Sequence, residues 1–584
     1  MGIIDCKFCL KKESLEKGNS GQFFLEENNL NSPKSVIDLK VNTSNFITQR
    51  SRAKVYDNYE KIQLLGKGSF GCVYKVRRKN SGSGEIIRAL KEISKEKMCL
   101  NEENSQEIRN EISVLKSLDH PNIMKIYEFF EDNKKMYLIS EFCGGDIGNI
   151  NNIYGIFPEF LVKYIMFQVF MAVSFFHANK IVHTDIKREN IAFFYRDEKK
   201  DKKYVDNFLK KIFEEKDINE ELISAGGIEN LSEEASGIIN ELLNFDVKIL
   251  DFGSAKKRKL KKLSGITGTV YYWSPEMIFD NYDFECDEWA CGIMMYILLA
   301  DDPPFNGETE EEIFIKILKD EVNFNIDPFK NISEDCIDLM KKLLEKNSKK
   351  RIKANQALKH PFFTNGIKFG NLFKGKYKEN VEILKSLYKS RTTVIKNKKK
   401  SKFKDMVIAY ISHNFSEQEE EKKARKIFMD MSGGDKHFLI VKKTFVERMS
   451  SIYKDVSKKN LEDLFDDIDE NKSGNIEYEE LIRALSDQKK LLNDKNLKEA
   501  FNFFDKDNNG SISWNEIAEV IYPDGQIPKQ IMKDFMEEIG QKDENKEINF
   551  EEFKTILISS LSCSSFKNLI NIISISTFFN NYNN

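Results

Sequence analysis

The longest apolar stretch of the 584 residues does not run far enough without interruption to cross a bilayer as a helix. The best candidate, from about Ile556 to Phe579, is broken by Lys567, asparagines and several serines. No sign of charge dominates either: 91 Lys and Arg face 94 Asp and Glu, a net charge of -3, which argues against bulk nucleic-acid binding. The nine cysteines are scattered and no secretory h-region opens the chain. The C-x-x-C at Cys6 to Cys9 lacks a second pair at zinc-ribbon spacing. These absences point to a reducing, cytoplasmic setting, and the length allows two to four domains.

Polar sequence without sustained periodicity fills the start, so residues 1–55 read as a flexible leader. Patterned sequence runs over 56–363, interrupted by a Lys/Glu/Asn-rich surface insertion at about 196–246. A junction follows over 364–415, with a helical segment Glu379 to Tyr388 and a basic run Lys396 to Lys404. An acidic region over 416–560 repeats an apolar helix and an Asp/Asn/Gly-rich loop at a spacing of 36 residues, and a tail occupies 561–584.

Gly66-Lys67-Gly68-Ser69-Phe70-Gly71-Cys72-Val73 follows a strand-like Ile62 to Leu65, and its glycines would let backbone close over phosphate oxygens where a Cβ would obstruct. A strand candidate follows instead of the helix that a dinucleotide fold needs. Next come Ala89 and Lys91 in an apolar strand context, then Glu111 on a helix striped by Ile112, Leu115 and Leu118; a buried lysine needs such a carboxylate. His183-Thr184-Asp185-Ile186-Lys187-Arg188-Glu189-Asn190 and Asp251-Phe252-Gly253 complete an ordered series that resembles a protein kinase catalytic domain.

The resemblance implies ATP and Mg2+ as cofactors. Lys91, partnered by Glu111, would grip the α- and β-phosphates; Asn190 and Asp251 would hold magnesium; Asp185 would orient the substrate hydroxyl; Lys187 would neutralise the transferring phosphoryl group. Leu65 to Val73 would cover the nucleotide, with Ala89, Ser140, Glu141 and Cys143 around the adenine. Ser274-Pro275-Glu276, Asp287 and Arg351 fit the family's structural positions. Thr184 replaces the usual arginine, so activation-loop phosphorylation is not expected to be the main switch. The basic run Lys256 to Lys262 reads as a solvated face. Ser140 would leave room behind the adenine, Asp146 has an uncertain ribose role, and Glu189 is the acidic candidate for reading a basic substrate residue.

Two loops have calcium-ligand spacing. Asp469, Asn471, Ser473, Asn475 and Glu480 occupy positions 1, 3, 5, 7 and 12 around Gly474; Asp505, Asp507, Asn509, Ser511 and Glu516 do the same around Gly510. An earlier hand near Asp430 to Phe445 has Ser432, His437 and Lys443 where ligands or glycine belong, and is expected to have lost Ca2+. In a fourth, Asp543, Asn545 and Glu552 fit, but Gln541 and Lys546 do not. Hands work in pairs, so the degenerate ones would support their neighbours.

Kinase, junction and four hands in this order resemble the calcium-dependent protein kinases of plants and protozoan parasites. The implied fold class is α+β, a bilobal kinase fold followed by an all-α, calmodulin-like EF-hand domain. The implied function is a calcium-activated serine/threonine kinase, monomeric and without nucleic acid, restrained by its junction at low calcium. Leu384, Leu387, Val407, Ile408 and Ile411 would give the junction an apolar face for a groove between sensor helices. Protein substrates with basic residues near the Ser/Thr are expected. Gly2 and Cys6 suit N-terminal acylation and peripheral membrane contact. Two rival readings are an inactive calcium-sensing scaffold and a kinase needing separate calmodulin.

Overall fold

Short runs rich in β-branched and aromatic residues, bounded by glycine and charge, pair into the sheet that begins the fold. The computed structural model describes residues 49–50, 55–67, 71–79, 85–98, 102–195, 202–214, 220–222, 230–258, 262–265, 268–373, 377–395, 402–416, 418–432, 439–521, 533, 536 and 546–559. The strands are β1 (Gln49–Arg50), β2 (Tyr59–Lys67), β3 (Gly71–Arg78), β4 (Ile87–Ser94), β5 (Ile126–Glu131) and β6 (Lys135–Glu141). Their order is β1-β5-β6-β4-β3-β2, antiparallel except for β1 alongside β5. The end of the expected leader is therefore part of the sheet, and Val55 beside it is buried.

Register places the chemistry on the central strands: Val73 pairs with Lys91, and Ala89 with Ser140. Gly71 is required here, because a Cβ would stand 1.7 Å from the Glu92 carbonyl oxygen. Helix Glu102–Leu115 lies against the sheet lobe with Ile112 and Leu115 in the core.

The second lobe is built around helix Glu159–Ala178, apolar on all sides and buried accordingly. Among the described residues it is the one helix long and apolar enough for a bilayer, but it is the centre of the core. Helix Glu285–Ala300 packs beside it. The insertion differs from the expected surface stretch. Helices Lys202–Glu214 and Glu233–Leu242 bury Leu209, Ile212, Ile239 and Leu242 in this same core, and Phe213 stacks on Tyr154 at 4.7 Å. The chain re-enters as strand Phe245–Ile249, slightly before the expected Val247.

The hands form two pairs, each closed by a two-residue antiparallel bridge: Ile440–Val441 with Asn475–Ile476, and Ser511–Ile512 with Ile548–Asn549. Junction helix Tyr377–Ile395 buries Leu384 and Leu387 in the first pair's apolar cluster. Junction helix Lys402–Phe415 buries Phe403, Val407, Ile408 and Ile411 in the second's.

Candidate active site and candidate metal loops

Glu111 sits one turn before the end of its helix, and its carboxylate accepts from Lys91 Nζ at 2.8 Å. Burial raises the pKa of Glu111 while the Lys91 charge opposes the rise. Asn110, on the same helix, donates to the carbonyl oxygens of Gly253 and Ala255, fixing the helix to the segment after Asp251. Phe252 is fully buried against His183, with ring centres 4.6 Å apart.

Asp287 organises the loop that carries Asp185. Its carboxylate accepts from the backbone N–H of His183 and Thr184, both at 2.9 Å, and faces His177 Nε2 at 2.8 Å. Thr184 is held at φ 67°, a left-handed conformation costly for a β-branched residue. Its hydroxyl donates to the Ser254 carbonyl at 2.9 Å.

From this loop Asp185 receives Lys187 Nζ at 2.8 Å, Asn190 Nδ2 at 3.1 Å and the Thr269 N–H at 3.2 Å. Lys187 also donates to Thr269 Oγ1 at 3.0 Å. Asp251 stands at φ 57° and is open to solvent. Surrounding protein raises its pKa, but the nearby charges, Lys91 first, outweigh this and hold it below the ordinary carboxylate value. The result is two ammonium groups, two carboxylates and an amide oxygen at one cleft, the donor set that an ATP–magnesium complex needs.

Of the residues expected around the adenine, Ser140 is buried and small, and Glu141 turns its carboxylate to Lys248 at 2.8 Å while its N–H donates to the Lys125 carbonyl at 2.9 Å. Burial pushes the Cys143 thiol pKa well up. Gly66 and Lys67 lie on β2 with Leu65 exposed. Gly68, Ser69 and Phe70 lie outside the described residues, as do Gly2 and Cys6.

The activation segment is not simply solvated. Lys256 donates to the Ser264 and Gly265 carbonyls, both at 2.7 Å, and to Tyr282 Oη at 2.6 Å, while Arg258 pairs with Asp283. Glu276 and Arg351 form the buried ion pair expected of them.

In the first competent loop, Asp469 accepts from Ser473 N–H and Gly474 N–H, at 2.9 and 3.0 Å, and Glu480 accepts from Asn471 N–H at 3.1 Å. Gly474 has φ 87°, the turn the loop requires. Burial pushes the Glu480 carboxyl up to about 8. In the second loop, carboxylate oxygens of Asp505, Asp507 and Glu516 lie within 4.8 Å of one another, a fit for one divalent cation. Asn509, at loop position 5, accepts through Oδ1 from the N–H of Ser511, at position 7, at 2.7 Å.

The outer hands differ. Ahead of the first loop, on helix Gln418–Ser432, Asp430 pairs with Arg448; His437 lies outside the described residues. In the fourth hand, Lys546 Nζ reaches Glu552 at 2.9 Å and lowers its pKa, while Asp543 and Asn545 lie outside the described residues.

Several functional residues were missed in the sequence. Glu477 falls at position 9 of the first loop, where an oxygen ligand belongs. Contacts between the sensor and the back of the catalytic lobes also carried no motif. Arg425 pairs with Asp246 and Lys125 with Glu479, and Asp119 accepts from Glu479 N–H at 2.7 Å. Arg78 pairs with Glu499 at 3.0 Å. A polar cavity of about 360 Å³, lined by His120, Lys125, Lys248, His413 and Glu421, lies in this interface.

Comparison with known proteins gives a consistent picture. Residues 59–224 and 231–363 match the protein kinase domain, and residues 458–522 and 494–558 match the EF-hand domain pair. Calcium-dependent protein kinase 4 of Plasmodium berghei (strain Anka) is 32% identical over 558 residues, covering 93% of this chain and 95% of that relative. Calcium-dependent protein kinase 4 of Plasmodium falciparum (isolate 3D7) is 31% identical over 563 residues, 94% and 96% of the two chains. Calcium-dependent protein kinase 3 of Plasmodium yoelii yoelii is 32% identical over 446 residues, 73% and 68%.

Proposed function

Because the chain belongs to the calcium-dependent protein kinases, and is a serine/threonine protein kinase carrying its own EF-hands, we propose that its junction restrains catalysis until calcium fills the loops at 469–480 and 505–516. The observation that carries this reading is the burial of Leu384 and Leu387 in one pair of hands and of Phe403, Val407, Ile408 and Ile411 in the other. Engagement of those side chains by the sensor supports reading this arrangement as the released state. At low calcium the same apolar faces, no longer gripped, would be free to act against the catalytic lobes.

In the released state Lys91 grips the α- and β-phosphates, Asn190 and Asp251 hold magnesium, Asp185 orients the acceptor hydroxyl and Lys187 meets the charge developing on the phosphoryl group. Magnesium, when bound, neutralises phosphate charge. Calcium is held by Asp469, Asn471, Ser473, Asn475, Glu477 and Glu480, and by Asp505, Asp507, Asn509, Ser511 and Glu516. Glu189 provides a subsite for a basic substrate residue. The protein works as a cytoplasmic monomer, with acylation at Gly2 and Cys6 bringing it to membranes.

The test is phosphate transfer from ATP to a basic Ser/Thr peptide, with and without micromolar calcium and with no calmodulin. Stimulation by calcium, abolished by Asp185→Asn and blunted by Leu384→Asp with Leu387→Asp, is the expected result. Constant transfer would refute the switch, and a requirement for calmodulin would favour the separate-activator reading.

A further inference from the structure

The acidic subsite that faces the substrate is already partly filled by the protein itself. Arg188 lies between two residues of the active site, Lys187 and Asn190, in the 3-10 turn Arg188–Asn190. Its Nε donates to Glu189 Oε1 at 3.1 Å, and its Nη1 donates to Asn151 Oδ1. Arg188 is 23% exposed and Glu189 51%, so the pair lies at the cleft rim with its carboxylate reachable. Helix Ile147–Tyr154, which supplies Asn151, presses close on both residues. A Cβ on Gly148 would stand 3.2 Å from Glu189 Cγ and 3.4 Å from Arg188 Cγ. The guanidinium is thus held from two sides rather than swinging in solvent.

The other nearby carboxylate is also occupied. Asp146 caps the same helix, accepting from the Asn149 backbone N–H at 2.8 Å and from Asn149 Nδ2 at 2.5 Å. Both acidic groups able to meet a substrate cation at this rim therefore have intramolecular donors.

We propose that Arg188 is a specificity-determining residue, a resident cation that occupies Glu189 and must yield before a basic substrate residue is read there. The proposal rests on the reading of Glu189 as the basic-residue subsite. Arg188 weakens the enzyme's preference for arginine before the acceptor serine without abolishing it, so substrates with a neutral residue there are still phosphorylated. The acceptor class is broader than the acidic cleft implies.

The experiment uses the full chain in saturating calcium and neutral serine peptides in which one arginine is moved through the five positions before the serine. For each, kcat/KM is compared with the same peptide carrying glutamine. In Arg188→Ala the arginine-to-glutamine ratio at the best position should rise roughly two- to five-fold over the unsubstituted enzyme, the range for a partly exposed ion pair. In Glu189→Gln the ratio should fall toward one, and adding Arg188→Ala to Glu189→Gln should then change nothing, a coupling that general loss of charge would not produce. A ratio unchanged by Arg188→Ala while Glu189→Gln lowers it overturns the role of Arg188. A ratio that Glu189→Gln does not lower overturns the subsite reading itself. Equal shifts by Arg188→Ala with and without Glu189 would assign the effect to bulk charge and also overturn the proposal.

Discussion

Neutralising His177 should weaken the helical lobe in a pH-dependent way. The imidazole stands at the C-terminal end of helix Glu159–Ala178, where a positive charge is favoured, with Asp287 Oδ2 at 2.8 Å and Glu288 Oε1 at 3.4 Å. Burial works against the charged form, but Glu288 and Asp287 outweigh it and push the pKa up to about 10. A histidine whose folded value lies above its unfolded one adds stability that is complete below the unfolded value near ~6.5 and disappears as pH rises through the folded value. Linkage between these limits gives up to about 4 kcal/mol at pH ~6.5 and about 1.5 kcal/mol at pH ~9. His177→Gln keeps a donor for Asp287 but not the charge, so its deficit should shrink by roughly 2 to 3 kcal/mol over that interval. The assay is urea unfolding followed by tryptophan fluorescence in a Trp514→Phe background, which leaves Trp273 and Trp289, both in this lobe, as reporters. A deficit of equal size at both pH values would refute the reasoning, because a packing defect does not titrate.

Other consequences are simpler to read. Arg425→Ala removes the guanidinium that pairs with the buried Asp246 carboxylate, a loss of up to about 3 to 5 kcal/mol for a broken buried pair; hydrogen exchange in strand Phe245–Ile249 and helix Gln418–Ser432 should quicken, about a hundred-fold or more at the upper end. Titration calorimetry should find two calcium ions per chain, and Glu480→Gln or Glu516→Gln should each remove one; an unchanged count would move the ligands elsewhere. Ser140→Met should cost an adenine-site inhibitor bearing a bulky aryl group at least about ten-fold in affinity while leaving ATP turnover within a few-fold, since the added side chain obstructs only the space behind the adenine.

The chemistry was legible because it is written in local motifs. Lys91, Glu111, Asp185, Asn190 and Asp251, and the two competent loops, depend on short-range spacing that a sequence displays directly. The partners that tune them are not local. Lys256 reaches Tyr282, Asp287 reaches His177 and the catalytic loop, and Arg425 reaches Asp246 across 179 positions of sequence. Those contacts exist only after the lobes have packed. The insertion was misread for a related reason: its Lys- and Glu-rich composition suggested solvent, while the apolar stripe of Leu209, Ile212 and Phe213 is narrow enough to be lost among charges.

Lys546 occupies in the fourth hand the place expected of a glycine, and its ammonium pairs with Glu552. On the expectation that neither outer hand takes calcium, each lobe of the sensor joins one hand that responds to one that only supports it. With two responsive sites the Hill coefficient of activation has a ceiling of two, however strongly the lobes cooperate. A sensor with two such sites would read calcium in a graded way, with half of its hands holding the other half in shape.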